Sequence, residues 1–117
     1  MSNVTIERRG SVYLIRFSDG SKAYLAVKEE NNKMYIIETY TPEQHKGKGY
    51  ARMLVERAIQ DAEKKGLSIV PICSYAVYYF MKNPDKRHVL SSEYRDLSDN
   101  DWRELFRKRL EEERSKK

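Results

Sequence analysis

Several features are rare or absent in this sequence, and each absence excludes some classes of protein. A single cysteine, Cys73, leaves no internal disulfide and suits a reducing compartment. No run of apolar residues is long enough to span a bilayer, and the first residues lack the apolar stretch of a secretory signal. Internal repeats, low-complexity segments and interdomain linkers are absent as well. We therefore expect a cytoplasmic protein with no membrane segment.

The length and the charge leave two kinds of partner open. A chain of 117 residues is near the common size of one domain, so we expect a single domain over residues 1–117. Its core should span about residues 4–90, with a helical extension over 91–117. The net charge of +5 indicates either a nucleic-acid surface or a site for a polyanionic cofactor. Much of the excess lies around Lys46 and Lys48 and in the last residues, which favours the cofactor.

Hydrophobic periodicity predicts an antiparallel meander followed by a β-α-β crossover. The strands are expected over 4–8, 12–17, 23–28, 34–40 and 67–72, with turns at 18–21 and 29–33. Ala51, Leu54, Val55, Ala58, Ile59 and Ala62 form one apolar stripe, which predicts a helix over about 47–65. A strand-helix-strand order implies a right-handed crossover and parallel pairing.

Two more helices are expected after the crossover. One begins near Ser74 and ends before Asn83-Pro84. The other is capped by Ser98-Asp-Asn-Asp101 and carries Trp102, Leu105, Phe106 and Leu110 on one side. This last helix is expected to dock on the core, with a partner-binding helix as the alternative. Residues 111–117 are expected to fray. The predicted fold class is thus α+β, with a mixed sheet.

The most informative stretch runs from Glu38 to Ala51. A strand-like segment leads into a turn that contains Gly47 and Gly49, and the amphipathic helix follows. A turn of this kind leaves backbone N–H groups unpaired at the positive end of a helix, where an anion binds well. Lys46 and Lys48 add positive charge at the same place. The ligand is therefore expected to carry phosphate.

Three known phosphate-binding loop motifs can be compared with this stretch, and one of them matches it better than the others. A P-loop needs four residues between its glycines and then Gly-Lys-Ser/Thr, whereas only Lys48 separates Gly47 from Gly49. A dinucleotide fingerprint needs a small residue where Arg52 stands. Lys46-Gly47-Lys48-Gly49-Tyr50-Ala51 instead resembles the acetyl-CoA loop of the GNAT superfamily of N-acetyltransferases, Arg/Gln-x-x-Gly-x-Gly/Ala, with Lys in the first place. A register that starts at Gln44 fits the same letters.

A second motif strengthens the resemblance. Pro71-Ile-Cys73-Ser-Tyr75 and Asn83-Pro84 follow the loop in the order found in the short, single-domain YjdJ-like predicted acetyltransferases. The similarity covers roughly residues 11–90. It implies a GNAT-like fold with splayed parallel strands, acetyl-CoA as the cofactor, and acetyl transfer to an amine by direct attack on the thioester.

The resemblance also implies where the cofactor binds. Pantetheine would run along the backbone of Thr39, Tyr40 and Thr41. The pyrophosphate would lie on the N–H groups of the loop, whose residues are Lys46, Gly47, Lys48, Gly49, Tyr50 and Ala51. Lys46 offers a point charge where Arg would grip two oxygens. Asn83 is placed near the adenine end.

Three residues are candidates for catalysis. Glu38 stands where relatives are expected to carry His, and it can accept the amine proton if its surroundings favour that; otherwise it is a surface carboxylate paired with Lys33 or Lys28. Cys73 lies at the end of the second parallel strand, as a nucleophile, another group in the site, or a small core residue. Tyr79 is the candidate acid for the leaving thiolate, with core packing as its alternative role.

Two further interpretations of function stay open. A CoA-binding module with little catalysis is compatible with Lys46 and with the absence of a His at position 38. A nucleic-acid-binding domain is disfavoured, because the sequence has no helix-turn-helix spacing, zinc ligands or aromatic RNA-binding signature. The amine acceptor, a protein or a small molecule, is not identified by the sequence.

Overall fold

A five-stranded sheet forms the centre of the protein, and the computed structural model describes residues 4–116. The strands are β1 (Glu7–Arg9), β2 (Val12–Arg16), β3 (Lys22–Glu30), β4 (Lys33–Tyr40) and β5 (Ser68–Pro71), and they lie in the sheet in the same order. The first four are antiparallel, whereas β5 runs parallel to β4. The predicted mixed α+β arrangement is confirmed. Residues 1–3 and 117, which the predicted domain includes, lie outside the described residues.

The described part of the chain, residues 4–116, also contains four helices. They are α1 (Tyr50–Lys65), α2 (Ser74–Lys82), α3 (Ser92–Arg95) and α4 (Asp99–Ser115), with 3₁₀ turns at Glu43–His45 and Pro84–Val89. Of these helices, α1 and α2 contact the sheet and α4 packs on α2. The connection from β4 through α1 to β5 is the predicted crossover. Within residues 4–116, no helix combines the length and the apolar character that a bilayer crossing needs.

One face of the sheet is buried. Buried and partly exposed residues alternate along β2, β3 and the first half of β4, as the period of two in a strand requires. The buried members of β2 to β4 are Tyr13, Ile15, Ala23, Leu25, Val27, Met34 and Ile36. They pack with the apolar stripe of α1, whose buried residues are Leu54, Val55, Ala58, Ile59 and Ala62. The predicted stripe is therefore the core face of this helix, although Ala51 itself is only partly buried.

The turn between β3 and β4 is tighter than the sequence suggested. Strand β3 continues to Glu30 and β4 begins at Lys33, so only Asn31 and Asn32 lie between them. Both have positive φ, at 54° and 64°. Asn adopts the left-handed region more readily than most residues, and two such residues match the twist of a hairpin. The predicted turn over 29–33 is thus a two-residue hairpin.

The last helix belongs to the core. The Ser98 hydroxyl accepts a hydrogen bond from the Asp101 N–H, and the Asp101 carboxylate accepts one from the Ser98 N–H. This reciprocal cap starts α4 where the sequence predicted. Trp102 is only 1% exposed and joins the main buried cluster, so the buried core extends beyond residue 90. The helix continues to Ser115, which corrects the expected fraying from residue 111.

Candidate functional site

Strands β4 and β5 separate at a bulge in β4. Their last paired residues are Ile36 and Pro71. On the other side of β4, Val27 pairs with Ile36 and Ala26 with Glu38, so the pairing with β3 skips Ile37. A bulge adds a residue to one strand and bends it locally. Residues 37–40 therefore lie beside β3 but have no strand partner on the β5 side among the described residues.

The end of β5 places Cys73 next to this open edge. The carbonyl oxygen of Ile36 accepts hydrogen bonds from the N–H groups of Ile72, at 3.0 Å, and Cys73, at 3.1 Å. The chain then turns into α2, with Cys73 as its N-terminal cap residue. The Sγ atom of Cys73 lies 3.9 Å from Oγ1 of Thr39 on β4. The splayed strands thus hold a thiol and a hydroxyl across the crevice.

The glycine-rich turn delays the start of α1. Gly47 and Gly49 have φ values of 80° and 86°, so the helix begins at Tyr50 and not near Gly47 as predicted. These positive φ values are costly for residues with a Cβ atom. A Cβ atom added at either glycine would meet nothing within 4 Å. The turn therefore needs glycine for its conformation, and the space above it is open.

The start of α1 has the features of an anion site. Gly49 is the N-cap, and among the described residues no side chain caps the helix there. The first turn holds no acidic residue. Unpaired N–H groups and the positive end of the helix dipole both favour a negative ligand at this position. Lys46 and Arg52 stand nearby in exposed ion pairs with Glu43, at 3.2 Å, and Glu56, at 3.1 Å. Such exposed pairs are weak enough to exchange for a phosphate.

The segment before the turn is pinned to the β2–β3 hairpin. The His45 ring stacks on Phe17 with 3.7 Å between the ring centroids. Its Nε2 atom lies 2.9 Å from Oδ2 of Asp19, which also accepts a hydrogen bond from Gln44 at 3.2 Å. Hydrogen bonds from the Ser21 hydroxyl and N–H are the main reason that the pKa of Asp19 is lowered. Because Asp19 is ionised at neutral pH, it provides a fixed anchor for the 3₁₀ turn at Glu43–His45.

A cavity of about 420 Å³, here called the loop cavity, connects the glycine turn to β4. Its lining residues are Thr39, Tyr40, Thr41, His45, Lys46, Gly47, Gly49, Tyr50, Ala51, Arg52 and Tyr75. Eight of the ten predicted cofactor residues are in this set. Lys48 is exposed in the turn and Asn83 lies at the far end of α2, where its amide donates to the Tyr79 carbonyl oxygen at 2.8 Å. The contact that Asn83 makes is at the end of α2, and its role at the adenine end stays a prediction.

A second cavity of about 470 Å³, here called the Cys73 cavity, opens on the other side of the crevice. It is lined by Ile37, Glu38, Thr39, Tyr40, Cys73, Ser74, Glu113 and Lys116. Two of these residues, Thr39 and Tyr40, also line the loop cavity. The two cavities therefore border the same two residues at the open edge of β4. Predicted residues Glu38 and Cys73 face one space, which the sequence suggested but could not establish.

Glu38 forms a contact that the sequence did not predict. The Tyr24 hydroxyl donates a hydrogen bond to its carboxylate at 2.8 Å, and this bond raises the pKa of Tyr24. The suggested lysine partners are engaged elsewhere, Lys28 with Glu30 at 3.1 Å and Lys33 with Glu93 at 3.6 Å. The alternative in which Glu38 is paired with Lys33 or Lys28 is therefore wrong about the partner. Glu38 is an exposed carboxylate at the wall of the Cys73 cavity, fixed by a tyrosine on the next strand.

Cys73 is buried, with 5% of its surface exposed. This burial is the main reason that the pKa of its thiol is raised. The charge on Glu113 acts in the same direction. A thiol with a raised pKa is protonated at neutral pH, and the thiolate is the nucleophilic form. These surroundings favour a neutral thiol at the cavity wall over an activated nucleophile.

The two tyrosines on α2 that matter here face different neighbours. Tyr79 is 2% exposed, and its hydroxyl donates to Glu56 on α1 at 3.1 Å. It is not among the residues that line either cavity. Tyr75, one turn earlier, lines the loop cavity, and burial raises its pKa. Both hydroxyls are protonated at neutral pH, but Tyr75 is the one beside the crevice.

The C-terminal helix supplies a wall of the Cys73 cavity, which the sequence analysis missed. The Glu113 carboxylate accepts hydrogen bonds from the Ser74 N–H at 2.8 Å and from the Ser74 hydroxyl at 2.7 Å. It thereby caps α2 from a helix that is far away in sequence. Arg109 lies at the same junction, with Nη2 3.5 Å from the Pro71 carbonyl oxygen. Arg109 and Glu113 are four residues apart and lie on one side of α4, but no local pattern marks either as a contact of the crevice.

Comparison with known proteins agrees with this geometry. A sequence model of the GCN5-related N-acetyl-transferase family matches residues 12–89, more than half of the chain. The chain belongs to this family and is an acyltransferase. The matched range ends before α4, so Glu113 and Lys116 lie outside it.

A solved structure shows the same fold. It is the solution NMR structure of a GCN5-like candidate N-acetyltransferase from Staphylococcus aureus. The two chains are 22% identical and superpose with a TM-score of 0.63. The match covers 83% of this chain and 100% of the other. The predicted GNAT-like fold is therefore confirmed.

Proposed function

We propose that the protein transfers an acetyl group from acetyl-CoA to an amine by direct attack of the amine on the thioester. One observation carries this proposal: the loop cavity and the Cys73 cavity are both lined by Thr39 and Tyr40, on the edge of β4 that has no strand partner among the described residues. A ligand whose phosphates lie at the glycine turn would bring its other end to these two residues. The amine would then enter from the Cys73 cavity.

The loop cavity fits a ligand with a diphosphate and an amide-containing arm. The turn offers open space above Gly47 and Gly49 and an uncapped helix start behind them. The backbone of residues 39–41 offers donors and acceptors to the amides of pantetheine. Its N–H groups are also suited to stabilise negative charge on the thioester oxygen during transfer. These residues hold and orient the cofactor, which supplies the activated acetyl group.

The Cys73 cavity fits the chemistry of the acceptor. The neutral amine nitrogen bonds to the acetyl carbon, the carbon–sulfur bond breaks, and one proton leaves the nitrogen. Glu38 lines this cavity and is the group that we assign to receive that proton, directly or through a water. The sulfur departs with a proton, and CoA thiol and an acetylated amine are the products.

The proposal is tested by mixing the protein with acetyl-CoA and a panel of primary amines. Polyamines and lysine peptides form the two arms of the panel. Release of the CoA thiol should accompany the appearance of an acetylated amine in the mass spectrum. Tight CoA binding with no acetylated product in either arm would favour the alternative, a CoA-binding module with little catalysis.

Cys73 is expected to be dispensable for the chemical step. Because burial keeps the thiol protonated, replacing Cys73 by Ala should leave kcat within about tenfold of the parent. The loss of a small buried side chain should lower stability slightly, so thermal unfolding is measured alongside. A dead Cys73→Ala protein, together with acetyl-Cys73 trapped in the parent, would establish a covalent pathway instead.

The two tyrosines of α2 can be separated by matched variants. Tyr75 lines the loop cavity, whereas the Tyr79 hydroxyl is bonded to Glu56. If Tyr75 donates the proton to the leaving sulfur, Tyr75→Phe should lower kcat by roughly a hundredfold, and Tyr79→Phe should change it less. The reverse order of effects would return the acid role to Tyr79, as the sequence suggested.

A further inference from the structure

Lys116, at the end of α4, lines the cavity that the proposed function assigns to the acceptor. It shares this wall with Glu38, Thr39, Tyr40 and Cys73. A lysine side chain ends in the primary amine that this chemistry consumes. The protein therefore places an acceptor group of its own beside the residues proposed to carry out the transfer.

The position of Lys116 is held by a contact one turn earlier on the same helix. Residues three apart lie on one side of a helix, so Lys116 follows Glu113 along the side that faces α2. Two hydrogen bonds, of 2.7 Å and 2.8 Å, join Glu113 to Ser74, the residue after Cys73. Arg109, one turn before Glu113, reaches the end of β5. The last turns of α4 are therefore fastened to the rim of the crevice.

The charges in the cavity suit a lysine. Glu38 and Glu113 are the two carboxylates among its lining residues, and an ammonium group is drawn toward such a pair. This attraction holds the side chain in the cavity, and the nitrogen becomes nucleophilic once a base such as Glu38 or a water has taken its proton. An amine tethered in the cavity has a much higher local concentration at the thioester than a free amine at the same total concentration, so its acetylation is faster.

We propose that Lys116 is acetylated by its own chain. The inference rests on the proposed acetyl-transfer function. The Lys116 nitrogen bonds to the acetyl carbon of acetyl-CoA, the carbon–sulfur bond breaks, and one amine proton leaves through Glu38 or water. The products are acetyl-Lys116 and CoA thiol. The modified side chain carries no positive charge, so the net charge of the residues that line the Cys73 cavity becomes more negative.

The test is site-resolved mass spectrometry of the full chain after incubation with acetyl-CoA. Cleavage after Glu113 gives a peptide over residues 114–117, in which fragmentation separates position 116 from position 117. Lys108, exposed on the same helix, is the reference for unassisted chemical acetylation. We expect Lys116 to react at least tenfold faster than Lys108, with a rate per molecule that does not depend on protein concentration.

Variants distinguish self-acetylation of Lys116 from unassisted chemical acetylation of exposed lysines. Lys116→Arg keeps the positive charge but removes the amine that would accept the acetyl group. This variant should lose the fast acetylation, whereas Lys108→Arg should keep it. Glu113→Ala should slow the reaction of Lys116 about fivefold by releasing the helix end, and Glu111→Ala should not. Gly49→Asp, designed to block the cofactor, should reduce Lys116 to the rate of Lys108.

The possible results separate failure of this inference from failure of the function. If external amines are acetylated but Lys116 reacts no faster than Lys108, or if position 117 is modified in its place, the inference is wrong and the function stands. A rate that rises with protein concentration also overturns it, because transfer would then occur between chains. If calorimetry shows that acetyl-CoA does not bind, both the function and the inference fail.

Discussion

Replacing Glu38 by Gln is expected to lower kcat by roughly a hundredfold or more, since removal of a general base typically costs that much. Glu38 lines the Cys73 cavity and is held by the Tyr24 hydroxyl at 2.8 Å. Gln keeps the size and can still accept that hydrogen bond, but it cannot take a proton from the amine. The affinity for CoA should be nearly unchanged, because position 38 is not part of the loop cavity.

Two further variants show whether a loss of kcat in Glu38→Gln comes from the loss of a base at this position. Glu30→Gln removes an exposed carboxylate from the end of the neighbouring strand and should leave kcat unchanged. Glu38→His should recover part of the lost rate, because a histidine can accept a proton near neutral pH. If Glu38→Gln turns over like the parent protein across the pH range, Glu38 is a surface residue, and the amine loses its proton to solvent.

Replacing Gly49 by Asp is expected to weaken CoA binding by about a hundredfold. The carboxylate would enter the open space beside the helix start, repel the pyrophosphate and compete for the same N–H groups. Hydrogen bonds to charged groups contribute about 1.5–3 kcal/mol each, so losing one or two of them accounts for this factor. Calorimetric titration with CoA measures it directly.

The conformational cost of the change has its own controls. Gly49 has a φ of 86°, and Gly66, at the other end of α1, has a φ of 71°. Asn tolerates this region better than most residues and is close to Asp in shape. Gly49→Asn should therefore weaken binding less than Gly49→Asp, and Gly66→Asn should lower stability without changing CoA affinity. Equal affinities in the Asp variant and the parent protein would remove the glycine turn from the site.

The order of the strands and of the three longer helices was predictable because each is marked by local chemistry, whereas the short helix α3 was not predicted. The alternation in β2 to β4, the stripe of α1 and the cap at Ser98 are all short-range patterns, and the structure has the elements they indicate. The start of α1 was placed too early. A helical stripe does not report φ, and the positive φ at Gly47 and Gly49 moves the first residue of the helix to Tyr50.

The candidate site was predictable where it is continuous in sequence and where the crossover brings the ends of β4 and β5 together. The glycine turn and residues 39–41 are neighbours along the chain and share one cavity. The bulge at Ile37 depends on register with β3, which no local pattern specifies. Glu113 depends on how α4 crosses α2, so its contact with Ser74 appears only in three dimensions. Tyr75 and Tyr79 differ by one turn of helix, and only packing decides which of them faces the crevice.

The central claim is that acetyl-CoA binds along the open edge of β4 with its phosphates on the turn before α1. The most direct measurement is a titration of isotope-labelled protein with CoA, followed by the backbone amide signals in NMR spectra. The account predicts saturable shifts that are largest for residues 39–41 and 46–51, and their loss in Gly49→Asp. Shifts that concentrate elsewhere, or an absence of saturable shifts, would contradict it.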